Sequence, residues 1–369
     1  MSENKIQPVN NGKLSYDDTQ VVEKPWFFVA LLPSGAISRE STESVSSFRT
    51  SLDNISVGWV DYVSSEDFGK EALATALQLG FSKEFLSQLI DEPRNTYYDN
   101  EIELGMKLPS IQVRELDVEA SPVLILIKKN LIFTIHSRHV DRRFGRLRRY
   151  GETILRKIPA GTPDIDRLTI LLARIIDHNN DRNFEHLRQI EEQGDHLNAI
   201  MMDPYTPRAK IGPEIYRMKH ALLTYLDALW NTIDVLHTIR YGDAELITDN
   251  PEILIKLGIL AEDVNRQISL AEHMSDVLSS GLEVLQTIYN NQLQSLNNRL
   301  ALIMTYLTII GTAVLVPNTL ATVFGNSAFN MQSKDIGWYL TVIIGSTVLA
   351  TGLVYWWVRR RGWIPKKMD

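Results

Sequence analysis

Residues 300–324 read LALIMTYLTIIGTAVLVPNTLATVF. These 25 residues carry no charge, and about 20 apolar residues suffice to cross a hydrocarbon core about 30 Å thick. A second uncharged run of 23 residues extends from Ile336 to Val358. Two buried core helices would pass the same test. No other stretch of the chain qualifies, and the pair predicts two transmembrane helices. Between them lies FGNSAFNM (324–331), in which a glycine and small polar residues turn the chain back.

The flanks set the expected orientation. Arg359, Arg360 and Arg361 follow the second run, with Lys366 and Lys367 beyond, whereas the connecting loop carries only Lys334 and Asp335. Positive flanks stay cytoplasmic, so both termini are expected inside a multi-pass protein of the cell membrane. MSENKIQPVNNGK at the start has no apolar core and does not read as a signal peptide. The chain has no cysteine, which excludes disulfides and thiolate metal sites.

Of 369 residues, the first 299 hold 32 basic and 43 acidic side chains, a net charge of −11. An acidic domain beside a membrane argues against nucleic acid or anionic lipid as its partner and suits cations; ordinary solubility accounts for it equally. No Walker, G-x-S-x-G, G-x-G-x-x-G or H-E-x-x-H pattern occurs, and nothing points to an enzyme. Asp177-His178, Glu185-His186 and Asp195-His196 lie eight to ten residues apart and read as solvated helix faces. The basic run HSRHVDRRFGRLRRY (136–150) reads as pairing with acidic neighbours across a subunit interface, or as binding nucleotide or lipid.

The fold class expected is an α/β cytosolic domain, then long helices, then the two spans. VEKPWFFVALL (22–32) and NISVGWVDYV (54–63) read as strands, with a Ser/Thr-rich loop between them. EDFGKEALATALQLG (66–80) and KEFLSQLI (83–90) read as helices, the first stopped by Gly80. EIELGMKLP and IQVREL (101–116) read as strands, and PVLILIKKNLIFTIHS (122–137) as a hairpin turning on KKN, in a mixed sheet. From about Asp164 the period becomes helical, and a helix starting near Pro251 could enter the first span unbroken. The divisions are 1–20 a flexible N-terminus, 21–160 the α/β domain, and 161–299 a helical bundle with a stalk helix. After these come 300–324 the first span, 325–335 the outer loop, 336–358 the second span, and 359–369 a basic tail.

The first span carries more than an anchor requires. Leu307, Gly311, Leu315, Asn318 and Thr322 are spaced 4, 4, 3, 4 and share one helical face. A polar residue at membrane depth faces protein or water. Asn318 thus marks either a pathway or a helix–helix hydrogen bond of about 1 kcal/mol. The second span has Trp338 and Tyr339 at its start and Tyr355, Trp356 and Trp357 at its end, which are interfacial belts. Two helices cannot enclose a pore, so conduction requires a ring of subunits.

MTYLTIIGTAVLVPNTLATVFGNSAFNM (304–331) resembles the pore motif of the CorA family of divalent-cation channels, agreeing at Leu307, Thr308, Ile309, Ile310, Thr312 and Gly325. VGWVDY (57–62), Asp91-Glu92-Pro93-Arg94, KKNLIFTIHS and RRRGWI resemble other family segments in the family's order. The resemblance implies a funnel-shaped homopentamer in a lipid bilayer, with the first span lining the pore. It implies hydrophobic constrictions at Leu307 and Leu315, a polar pore position at Asn318, and a mouth at Gly325 and Ser327.

Where the family has Gly-Met-Asn, this chain has Gly325-Asn326-Ser327. Gly325 and Asn326 read as a left-handed helix cap. Beyond that, either Asn326 and Ser327 hold a hydrated cation, or the altered mouth selects another ion. The expected cargo is Mg2+, with a zinc or cobalt transporter of the same fold as the alternative, and a membrane-anchored metal sensor or scaffold as the alternative of another class. Asp91 and Glu92, facing Glu262 and Asp263 of a neighbouring subunit, are candidate ligands for a regulatory cation; no other cofactor is expected.

Overall fold

The computed structural model describes residues 24–65, 67–90, 96–202, 211–242, 244–325 and 333–361. The chain divides into two compact units, Met1–Ser279 and Ser280–Asp369.

The first unit opens with β1 (Trp26–Leu31), β2 (Ile37–Thr42), the single turn α1 (Arg49–Leu52) and β3 (Val57–Ser64). Then come α2 (Phe68–Gln78), α3 (Lys83–Ile90), β4 (Tyr97–Asp99), β5 (Glu103–Arg114), β6 (Asp117–Lys128) and β7 (Leu131–Ser137). The strands form one seven-stranded sheet in the order β2-β1-β3-β7-β6-β5-β4. Only β3 and β7 pair in parallel, so the sheet is mixed, as expected. Alternation along the strands divides its two faces. Phe28, Val60 and Phe133 meet Phe48, Ala76, Phe85 and Leu86 in one core. Gly105 lets α3 approach the sheet: a Cβ there would stand 2.4 Å from Leu89 and 2.8 Å from Phe85. Gly80, at φ +89°, ends α2 as predicted.

Two local readings need correction. The Ser/Thr-rich segment contains a strand, β2, paired antiparallel with β1 along its whole length. It lies at the sheet edge, where one face meets water and apolar residues are not required. Second, β5 and β6 run unbroken through Pro109 and Pro122, where prolines suggested strand ends; the two prolines face each other in register. The Pro109 carbonyl accepts from Asn179 Nδ2 at 2.9 Å and so points away from β6, which makes this a non-hydrogen-bonded pair where the missing N–H costs the ladder nothing. The basic run forms one short helical turn and then α4 (Asp141–Arg156), which lies against the sheet with Arg148 buried.

Helices α5 (Asp164–Asn180), α6 (Asn183–Met202) and α7 (Ile211–Tyr241) follow, and α7 packs against β5 and β6. The last helix of this unit, α8, is 74 residues long, Pro251–Phe324, and continues into the second unit. Its start is tied down by Asp166, buried on α5, which accepts from Thr248 Oγ1 and, at 3.0 Å, from Asn250 Nδ2. Asn250 in turn caps the helix by accepting from the Glu252 N–H at 3.0 Å. Along α8 the buried positions Ile253, Leu257, Ala261, Val264, Ile268, Ala271, Met274 and Leu278 repeat every three or four residues.

The second unit holds the rest of α8 and α9 (Ile336–Arg360). Both helices are long and apolar enough to cross a membrane.

Candidate functional site

On the first span, burial separates two faces. Ile309 is buried, and Leu302, Thr305, Ala313, Val316 and Leu320 are half-buried, again at three- and four-residue spacing. Ile309 shares a shallow groove with Thr347, Thr351 and Tyr355 of α9, and the Phe324 ring meets Trp338 and Tyr339 at 5.9 and 6.1 Å. This face therefore packs on α9. At 100° per residue, Leu307, Gly311, Leu315, Asn318 and Thr322 lie on the opposite side. All five are exposed, Leu307 by 66% and Leu315 by 61%, and a Cβ added at Gly311 would meet nothing within 4 Å.

The span's threonines return their hydroxyl protons to the helix. Thr305, Thr308, Thr319 and Thr322 each donate at 2.8 Å to the carbonyl four residues earlier. That satisfies the O–H donor in lipid and leaves the lone pairs as acceptors. Pro317 sits inside the helix and has no N–H for the Ala313 carbonyl. Asn318 adds an amide one residue later, on the exposed face of the helix.

Just past the end of α8, Gly325 donates its N–H to the Ala321 carbonyl at 2.9 Å. The expected left-handed conformation is absent: Gly325 is not among the positive-φ residues. Glycine is required for another reason, because a Cβ there would stand 2.9 Å from the Ala321 carbonyl oxygen. Asn326 and Ser327 lie outside the described residues. At the other end of α9, Arg360 and Arg361 lie over Trp356 and Trp357 at 5.1 and 5.3 Å, uniting the basic flank with the aromatic belt.

Of the candidate regulatory carboxylates, Asp91 and Glu92 lie outside the described residues. Glu262 is exposed on α8, and Asp263 pairs with Arg266 one turn on. Burial, then repulsion from Asp181 and Asp263, pushes the Asp177 carboxyl up against the pull of Arg174 and His178. Among the described residues no three His, Asp or Glu side chains stand close enough together to hold a metal ion.

Two buried polar centres were not expected. On the α4 face of the sheet, Asp61 accepts from Arg148 Nε at 2.6 Å, faces His136 Nε2 at 3.2 Å, and takes the Thr134 hydroxyl; Trp59 Nε1 donates to Thr134 at 2.9 Å. Burial pushes the Asp61 carboxyl up, but Arg148, His136 and these hydrogen bonds together outweigh it and hold the group well below the usual carboxylate range. Sequence spacing carried the signal: W-x-D on β3 and T-x-H on β7 put all four side chains on one sheet face. The second centre surrounds Arg143, which donates to Ser110 at 3.1 Å and to the Asn179 carbonyl at 2.9 Å. His186 faces this guanidinium at 3.5 Å and is buried, so it is not on the solvated face that its sequence context suggested. Burial, then Arg143 and Arg182, pushes its imidazole down to about 4.

The fold resembles the complete CorA magnesium transporter of Methanocaldococcus jannaschii, with a TM-score of 0.65 at 19% identity over 92% of this chain and 99% of that one. It also resembles the full-length CmaX protein (TM-score 0.56, 15% identity, 92% and 97% covered). The ZntB cytoplasmic domain of Vibrio parahaemolyticus matches with a TM-score of 0.53 at 13% identity, over 73% of this chain and 99% of that one. Comparison with curated protein sequences gave no match. At such identities the likenesses establish an α/β domain with long helices and two candidate C-terminal spans. The family model described as CorA-like Mg2+ transporter protein matches residues 55–360, most of the length, and the chain therefore belongs to that family.

Proposed function

We propose that the chain is one subunit of a homopentameric channel that passes hydrated divalent cations, Mg2+ foremost, across the cell membrane. The observation that carries this reading is the exposed stripe Leu307, Gly311, Leu315, Asn318 and Thr322, turned away from the helix that the first span packs on. An anchor has no use for an amide at membrane depth, where facing lipid is costly. A ring of subunits with these stripes inward gives Asn318 water and cations to face. It also makes Leu307 and Leu315 apolar rings able to close the pore by excluding water. Mg2+ sheds its water reluctantly, so neutral side-chain oxygens that bind the hydration shell suit it better than a stripping cage.

Flux into liposomes containing the purified full chain tests the proposal. Mg2+ entry down its gradient, exceeding entry of K+ and reduced by Asn318→Leu, is expected. Absence of divalent flux in vesicles with correctly oriented protein would reduce the chain to an anchored domain. Flux of Zn2+ in preference to Mg2+ would move the cargo assignment to zinc.

A further inference from the structure

The helices α4, α5 and α8 of the first unit bound a cavity of about 350 Å3. That volume is within the roughly 300–1,000 Å3 of small-molecule sites. One part of its wall is apolar, formed by Ile154, Ile158 and Ile170, and the rest is polar. Three cationic side chains stand around it, Lys157 at the end of α4, Arg174 on α5 and Lys256 on α8, all exposed and able to reach inward. One lining carboxylate, Asp177, lies 3.6 Å from Arg174. Positive charge is concentrated here although residues 1–299 carry a net −11. Among the lining residues three cationic side chains stand against one carboxylate.

We propose that this cavity binds an organic phosphate of nucleoside-diphosphate type. The apolar body lies on the isoleucine wall, and the phosphates are held by Lys157, Arg174 and Lys256. Lysine ammonium groups serve phosphates as mobile point charges, and a guanidinium adds a planar pair of donors. Asp177 opposes the anion. In the free protein it occupies Arg174; with ligand bound, Arg174 exchanges this carboxylate for phosphate oxygens. Asp177 therefore sets the affinity from inside the site.

Calorimetric titration of the full chain in detergent, with divalent ions chelated, tests the assignment using ADP, pyrophosphate and adenosine as probes. ADP is expected to bind, pyrophosphate more weakly, and adenosine at least tenfold more weakly than ADP. Lys157→Ala combined with Lys256→Ala should weaken ADP at least tenfold; both side chains are exposed, so folding is spared. Ile170→Trp should exclude ADP and leave pyrophosphate unchanged. Asp177→Asn should tighten ADP several-fold, a gain that damage to the fold cannot imitate. The proposal is overturned if neither ADP nor pyrophosphate binds up to millimolar concentration, or if the lysine variants leave ADP affinity unchanged. It is also overturned if pyrophosphate equals ADP and Ile170→Trp alters neither, because the apolar wall then takes no part.

Discussion

Asn318 in the first span and Asn326 in the outer loop are the two amides on which the proposed pathway depends, and they make different demands. Asn318 stands one residue after a proline, where the Ala313 carbonyl has lost its donor. Asn326 occupies the place next to Gly325 where the family has methionine, with Ser327 in the asparagine position. If the mouth holds a hydrated cation by side-chain oxygens, Asn326→Ala should cut Mg2+ flux by an order of magnitude, and Ser327→Ala should do less, because a hydroxyl reaches a shorter distance. Equal flux and equal block by cobalt hexammine in Asn326→Ala and parent would shift selection to Asn318. Gly325→Ala should instead lower the yield of assembled protein, since its Cβ would press on the Ala321 carbonyl oxygen 2.9 Å away. In the first unit, His186 makes a pH prediction. Its folded pKa of about 4 lies below the ordinary 6.5. Between these values the unfolded chain binds a proton that the folded chain refuses, so stability falls as pH drops from 6.5 toward 4, by up to about 3 kcal/mol. Asp61 acts lower: its depressed carboxyl stabilises the fold above about 4, and that contribution is lost as pH falls further. Unfolding of the full chain in detergent, followed from pH 7 to 4.5, should lose its slope in His186→Gln; an unaltered slope would assign it to another group.

At the scale of elements, legibility followed burial. The helix α3 was readable end to end because a short amphipathic run with a fixed period has few alternatives, and the unbroken α8 was readable from the want of prolines between Pro251 and Pro317. The edge strand β2 was not, because partnership with β1 rather than its own ISREST composition makes it a strand. The paired prolines of β5 and β6 misled for a related reason: each reads locally as a stop, and only their cross-strand register accommodates both. The buried Asp61 and Arg143 centres depend on contacts between residues 30 to 90 positions apart, which no local period reveals. The pore stripe was legible as a face, although the sequence could not say which face meets α9. That face is now assigned through Ile309 and Phe324, which leads to a gating prediction. Leu307→Ser, on the exposed side, should raise basal ion conductance severalfold in planar bilayers. Ile309→Ser, on the packed side, should lower stability without opening the pore. A reversal of these two phenotypes would mean that the pore lies on the other face. The start of α8 gives a separate expectation. Asp166→Ala removes the acceptor for Thr248 and Asn250, and leaving such buried groups unpaired costs about 2–3 kcal/mol, to be read as a lowered unfolding temperature.

On the scale of the whole molecule, the pattern of exposure argues for partners of the same kind. From Ser279 to Arg299 no residue of α8 is buried, yet Val284, Tyr289, Leu293 and Leu296 are apolar or aromatic, with between 41% and 54% of their surface open. A lone helix with so much apolar surface in water is an association surface, and it leads directly into a span that cannot enclose a pore alone. Mass measurement in mild detergent should therefore give five subunits; a monomer or dimer as the sole species would remove the channel reading. If assembly brings carboxylates of neighbouring subunits together, those like charges repel unless a cation lies between them. Glu262 is the freer of the two α8 candidates, because Asp263 is paired with Arg266 in its own helix. If Mg2+ bridges Glu262 to Asp91 or Glu92 of the next subunit, millimolar Mg2+ should protect the pentamer from protease and reduce its own flux. Glu262→Gln should shift both responses to higher Mg2+ concentration, severalfold more than Asp263→Asn does. The two readouts must move together, because the same bridge holds the subunits and closes the pore. Protection that persists in Glu262→Gln while feedback disappears would place the regulatory cation elsewhere in the ring.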